Sequence, residues 1–321
     1  GVTLLLPAAL ALFGEPGKRW TPRVRSVALP MLVALVVVLG GVAAVRSTQE
    51  HSLAQRFEHE SEEAASRLQR RLDALTDAVS AISQVMALGD RIDRNGFFNA
   101  TAPWLTRYPG ILNFGWSPLV TAGERETFEQ NQARTRNEPF RVLGRNPQGG
   151  TFAAGAAAQH LPITLVEPLE RNRSVLGLDI LVLPATAAVA QRAIHSRSAQ
   201  VSAPFHLVQE TGSQKGVVMY LPVYDRARPD QLLGIVSAAF RVSDLLEATF
   251  SPSDGPAAVL NLCLLERREP SEPQLLSEPL SCTPPQAAAS AQPPSRTIAL
   301  RFGDRSWQLQ SRPGPALLGR S

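Results

Sequence analysis

The chain is poor in the residues that most small-site chemistries need. It has two cysteines, Cys263 and Cys282, in 321 residues. That excludes a disulfide-dense scaffold and a cysteine-rich zinc site. Lysine is nearly absent: Lys18 and Lys215 stand among 32 basic residues, the others being arginine, and the net charge is only +4. So small and scattered an excess gives no nucleic-acid footprint. Aromatics make up 6%. Gly17-Lys18 is no phosphate-binding loop, since it lacks the upstream glycine and is followed by Arg19, and no H-E-x-x-H occurs. Gly115-Trp116-Ser117-Pro118 lacks the second glycine of a nucleophile elbow. His160, His195 and His206 show no metal-ligand spacing. These absences point away from an enzyme and from any cofactor.

What the chain does have is apolar content, 44% of residues, and one long uncharged run. Residues 26–45, SVALPMLVALVVVLGGVAAV, contain no charge. As a helix, 20 residues reach about 30 Å, the thickness of a bilayer core. Lys18, Arg19, Arg23 and Arg25 precede the run, while Arg46 and Arg56 are the only basic residues in the 20 after it. The positive-inside rule places 15–25 in the cytoplasm and everything after 46 outside the cell membrane, in the periplasm or extracellular space. Residues 1–14 read as the tail of an upstream spanning helix, and 313–321 as a truncated approach to a second one.

Residues 46–90 contain no proline and read as one long stalk helix. Leu68, Leu72, Leu75, Val79, Ile82 and Met86 follow heptad spacing, which suits a partner helix and a homodimer. The same stripe also suits packing on the chain's own domain. From 91 onward, short apolar runs alternate with turns. Strands are expected at 111–120, 140–144, 161–166, 201–208, 216–224 and 232–240, helices at 122–135 and 184–197, and a connecting helix at 241–250. A smaller unit at 251–312 offers strands at 257–265, 274–280, 296–302 and 305–311. This is an α+β pattern with antiparallel sheets. Thr283–Ser295 is of low complexity and reads as an extended loop.

Ser202, Pro204, His206 and Val208 alternate onto one strand face, as do Val218 and Tyr220 on the next. Asp179 sits among Leu176, Leu178, Ile180 and Leu181, where a carboxylate is costly without hydrogen bonds. Its alternative role is to cap a turn or the following helix. Cys263 and Cys282 lie in or beside neighbouring strand candidates, and an exported compartment is oxidising, so a disulfide between them is expected.

Several ordered motifs carry a family resemblance. They are Tyr108-Pro109-Gly110, Trp116-x-Pro118, Glu124-Arg125 with Phe128-Glu129, Pro162–Pro168, Asn172-x4-Gly177-x-Asp179, Pro204-Phe205-x-Leu207-Val208, Pro222-Val223-Tyr224 and Gly234-x-Val236. Together they resemble the CHASE domain, the extracellular sensory module of bacterial cyclases and histidine kinases and of plant cytokinin receptors. The resemblance implies two PAS-like lobes on a long N-terminal helix: a membrane-distal ligand-binding lobe at 91–250 and a membrane-proximal lobe at 251–312. It also implies an adenine-type or other small organic ligand held by Asp179, the backbone at Leu207 and Val208, and Ser202. Tyr220 stands where the plant members have a small residue, which argues against cytokinin itself. A histidine kinase or cyclic-di-GMP enzyme would be the missing output. The competing expectation is a dimerising or protein-binding ectodomain without a small ligand.

Overall fold

The computed structural model describes residues 22–88, 92–146, 149–184, 186–206, 215–250, 259–266, 274–276 and 294–318. The chain divides into a unit up to Arg56 and a unit from Phe57 onward.

Helix α1 runs from Pro22 to Met86. Among the described residues, no helix is long and apolar enough to cross a membrane. In the part described, Met31, Val36, Val37 and Val38 are each at least 60% exposed.

In the second unit, the helix belongs to the core. Leu68, Leu72, Leu75, Val79, Ile82 and Met86 are all 3% exposed or less within a single chain. Each fully buried side chain of this size contributes about 1.5–3 kcal/mol. The heptad stripe is therefore consumed by intrachain packing, which corrects its assignment to a partner helix. The stripe left exposed is polar: Glu58, Glu62, Ser66, Arg70, Asp73 and Asp77.

Helix α2, Arg94–Arg107, was not expected from the sequence. Its internal Pro103 reads as a breaker, and its buried face is only Phe97 and Thr101. Asp93 starts it by accepting the Gly96 N–H at 2.8 Å. Strands β1 (Ile111–Pro118) and β2 (Val120–Thr121) follow, then α3 (Arg125–Arg136). Next come β3 (Leu143–Arg145), β4 (Thr151–Ala153), β5 (Gln159–His160), β6 (Leu165–Glu167) and the short α4 (Leu169–Asn172) with a 3-10 turn at Arg173–Val175. Helix α5 (Ala187–Ser196) leads to β7 (Gln200–Val201), β8 (Phe205–His206), β9 (Lys215–Tyr224), β10 (Leu232–Arg241) and α6 (Val242–Thr249).

The first sheet has the order β6-β1-β10-β9-β7, with β8 also on β9. Its pairings are antiparallel, as Gly115↔Ser237 and Ser237↔Tyr220 show. Strand alternation gives it two distinct faces. Phe114, Trp116, Val217, Met219, Val236 and Phe240 pack with the stalk stripe. Val218, Tyr220, Ile235 and Ala239 pack outward with Val189, Ala190 and Ala193 of α5.

The second sheet is built from β11 (Leu260–Glu266), β12 (Gln274–Leu275), β13 (Arg296–Phe302) and β14 (Arg305–Pro313), in the order β12-β11-β14-β13. A last turn of helix, α7, spans Pro315–Leu318. Trp307, Phe302 and Leu309 join the same core as the stalk stripe. Ser311 Oγ meets Ser61 Oγ at 2.8 Å, both buried. The loop expected at Thr283–Ser295 lies almost wholly outside the described residues.

Candidate functional site

Of the residues the sequence singled out, Tyr220 lies on the outward face of the first sheet, and Asp179 follows Gly177 in the segment beside β5. Asp179 is fully buried. Its Oδ2 lies 2.6 Å from His160 Nδ1, and its Oδ1 accepts the N–H groups of Leu161 at 2.9 Å and Leu181 at 3.0 Å. The carboxylate thus meets the requirement for burial entirely from within the chain. It closes a turn to Leu181 and ties the segment after Gly177 to β5. Gly177 must be glycine: its φ is +82°, and a Cβ would sit 2.4 Å from the Arg141 carbonyl oxygen.

The other motif residues form similar braces. Asn113 Nδ2 donates to Asn172 Oδ1 at 2.9 Å, and Asn172 Nδ2 donates to the Pro168 carbonyl at 2.7 Å. Glu129 is buried between Arg125 at 3.1 Å and Arg141 at 2.9 Å and accepts the Val142 N–H at 2.9 Å. Burial alone would raise its carboxyl. The Val142 N–H and the two guanidinium groups outweigh that and hold it below the usual range.

A cavity of about 60 Å³ lies in this face, bordered by Asn113, Thr186, Phe205, Tyr220 and Ser237. That is far below the roughly 300 Å³ at which ligand pockets usually begin. Tyr220 is 3% exposed. Burial pushes its phenol above the ordinary tyrosine range, an effect only partly offset by its hydrogen bond with Thr186. It therefore stays neutral, able to donate and accept. Ser117 Oγ, at an odd position of β1 like Asn113 and Gly115, is buried and without a hydrogen-bond partner among the described residues.

The expected site residues thus separate. Tyr220 lines the cavity. Asp179 is not among the residues that border it; both its oxygens are engaged with His160 and backbone N–H groups, so that it braces the segment after Gly177. Ser202 is not among them either: its Oγ accepts the Val218 N–H at 2.9 Å, in exchange for the Ser202 N–H donated to the Val218 carbonyl at 2.9 Å. Leu207 and Val208 lie outside the described residues. Cys263 is buried in β11 and disulfide-bonded; Cys282 lies outside the described residues. His160 is the residue sequence reasoning missed. It stands 19 positions from Asp179, with no local spacing to signal the pairing.

Several solved structures resemble this chain at low identity. An extracellular ligand-binding receptor from Desulfohalobium retbaense aligns at 12% identity and a TM-score of 0.48, over 81% of this chain and 40% of that one. The chain thus spans less than half of that receptor. The ligand-binding domain of the Pseudomonas aeruginosa amino acid chemoreceptor PctC, in complex with GABA, aligns at 15% identity and a TM-score of 0.42, over 81% of this chain and 99% of that one. The periplasmic sensory domain of the Campylobacter jejuni chemoreceptor Tlp1 aligns at 14% and 0.47, over 80% of this chain and 93% of that one. No curated protein matches the chain significantly. The CHASE domain profile matches residues 90–277, more than half the chain, and encloses the braces around Gly177 and Asp179. The protein belongs to the CHASE domain family.

Proposed function

We propose that this chain is the sensing portion of a bacterial transmembrane signalling receptor. Residues 26–45 span the cell membrane, and 46–312 form a periplasmic ectodomain with two PAS-like lobes. A small molecule binds the distal lobe, and occupancy is passed through the stalk to a cytoplasmic histidine kinase or cyclic-di-GMP enzyme. The observation that carries this reading is the CHASE match over 90–277. The exposed apolar side chains Met31, Val36, Val37 and Val38 support the membrane span, since bilayer would cover them where no protein does.

In this reading the ligand enters at Tyr220. Asn113, Thr186, Tyr220 and Ser237 supply neutral donors and acceptors, so the ligand is small and uncharged. Asp179 and His160 hold the wall in place. A homodimer through the stalk would use the polar outer stripe. A bridge between Cys263 and Cys282 closes the proximal lobe in an oxidising compartment.

Thermal-shift screening of the full chain in detergent tests the reading. A neutral compound that raises the melting temperature of the parent but not of a Tyr220→Ala variant supports it. A library of such compounds without one hit contradicts it. The second reading, a dimerising or protein-binding ectodomain without a small ligand, is favoured by one observation: the cavity beside Tyr220 measures only about 60 Å³.

A further inference from the structure

The stalk-facing side of the first sheet carries a much larger hollow. It is a groove of about 560 Å³, within the roughly 300–1,000 Å³ that small organic molecules occupy. Trp116 and Leu165, from neighbouring strands, and Phe128 of α3 give it apolar walls. Met86, the last residue of α1, also borders it.

Three guanidinium groups converge there from separate elements: Arg94 opening α2, Arg136 closing α3, and Arg173 in the 3-10 turn. Arg136 is held in a set orientation. Its Nε donates to Gln132 Oε1 at 3.3 Å, its Nη2 donates to the Thr164 carbonyl, and its guanidinium lies 5.2 Å over the Phe140 ring. Arg94 and Arg173 are more loosely engaged. Arg94 lies 3.8 Å from Glu167 and Arg173 lies 3.5 Å from Glu138, both at the outer limit of an ion pair, with side chains 59% and 60% exposed.

The acids nearby have other work. Asp93 caps α2 through the Gly96 N–H, and Glu167 accepts the Leu169 N–H at 3.2 Å. Glu138 remains on the rim. Burial pulls the Arg136 guanidinium below its ordinary range; Glu138 opposes this, and the like charges of Arg94 and Arg173 add to it. The groove thus sets the guanidinium groups of Arg94, Arg136 and Arg173 against the carboxylates of Asp93 and Glu138, a small cationic excess between apolar walls.

We propose that this groove binds a small organic carboxylate, its apolar body against Trp116 and Phe128 and its carboxylate on Arg136 between Arg94 and Arg173. A guanidinium already fixed in its plane offers a carboxylate two parallel N–H donors at little further ordering cost. An anion there relieves the repulsion among the three cations. The apolar walls favour a carboxylate with a hydrocarbon body over inorganic phosphate. The site is distinct from the cavity at Tyr220, because β1 turns Trp116 to one side of the sheet and Asn113 to the other.

The experiment is calorimetric titration of the full chain in detergent with phenylacetate and hexanoate, each against its uncharged amide. Saturable binding of at least one acid is expected, with its amide weaker by about tenfold or more. Arg136→Gln and the double variant Arg94→Gln/Arg173→Gln weaken the acid by a similar factor, while Tyr220→Ala leaves it unchanged. The double variant alters only exposed side chains, so it remains informative where Arg136→Gln disturbs the fold. Equal affinity for acid and amide, full affinity in the double variant, or no saturable binding of either acid overturns the proposal. A loss of binding in Tyr220→Ala also overturns it, since that result assigns the acid to the other face.

Discussion

Asp304, at the tip of the β13–β14 hairpin, accepts the backbone N–H of Val201 on β7 at 2.8 Å. Val201 lies on the edge strand of the first sheet, so the second sheet supplies a hydrogen bond that the first sheet's own ladder does not. Gly303 makes the approach possible, with φ +57° and only 2.8 Å between its ideal Cβ position and Val201 Cγ2. Arg192 adds a longer ion pair to Asp304 at 3.7 Å.

Replacing Asp304 with Ala should leave the Val201 N–H without its acceptor. A loss of about 1–2 kcal/mol is expected, readable as a lower denaturant midpoint. A midpoint equal to the parent's would mean that the contact between the two sheets contributes nothing to stability.

The stalk stripe gives a prediction opposite to that of a coiled-coil seam. Leu75→Ala should cost about 2–5 kcal/mol through the cavity it leaves in the chain's own core. Sedimentation should show the same oligomeric state as the parent. A shift from dimer to monomer with unchanged stability would return the stripe to a partner helix.

Asp179→Ala should destabilise the fold by about 3 kcal/mol or more, because His160 and two backbone N–H groups lose their acceptor in a buried setting. Asp179→Asn, which keeps the shape and one carbonyl oxygen, should recover part of that loss. If a neutral compound is found to bind at Tyr220, a fully stable Asp179→Ala that has lost only that binding would make the carboxylate a ligand anchor after all.

Thiol titration of the unreduced, denatured protein should find no free thiol, because Cys263 is disulfide-bonded and Cys282 is the only other cysteine of the sequence. Reduction should then lower stability by roughly 3 kcal/mol, the size expected for a loop of this length. Two titratable thiols before reduction would exclude the bridge.

The strands were readable where their physics is local. β9 and β10 are largely apolar runs and β13 and β14 alternate polar with apolar residues, and each stands within a residue or two of its expected place. α2 was not, because Pro103 masks a helix whose start depends on one aspartate cap. Asp179 was legible as a buried carboxylate from its leucine neighbours, but its partner was not. His160 reaches it only through the fold of the intervening segment, as Arg94, Arg136 and Arg173 reach one another. The heptad stripe was legible as a packing surface, while what it packs against depends on both sheets.

The most direct test of an extracytoplasmic sensing role is the sidedness of the chain. Alkaline phosphatase and green fluorescent protein should be fused in parallel after Arg25 and after Asp90 and read in intact bacteria. Fusions after Arg25 should give fluorescence without phosphatase activity, and those after Asp90 phosphatase activity without fluorescence. The same compartment at both points would contradict the span at 26–45 and the periplasmic placement of the domain.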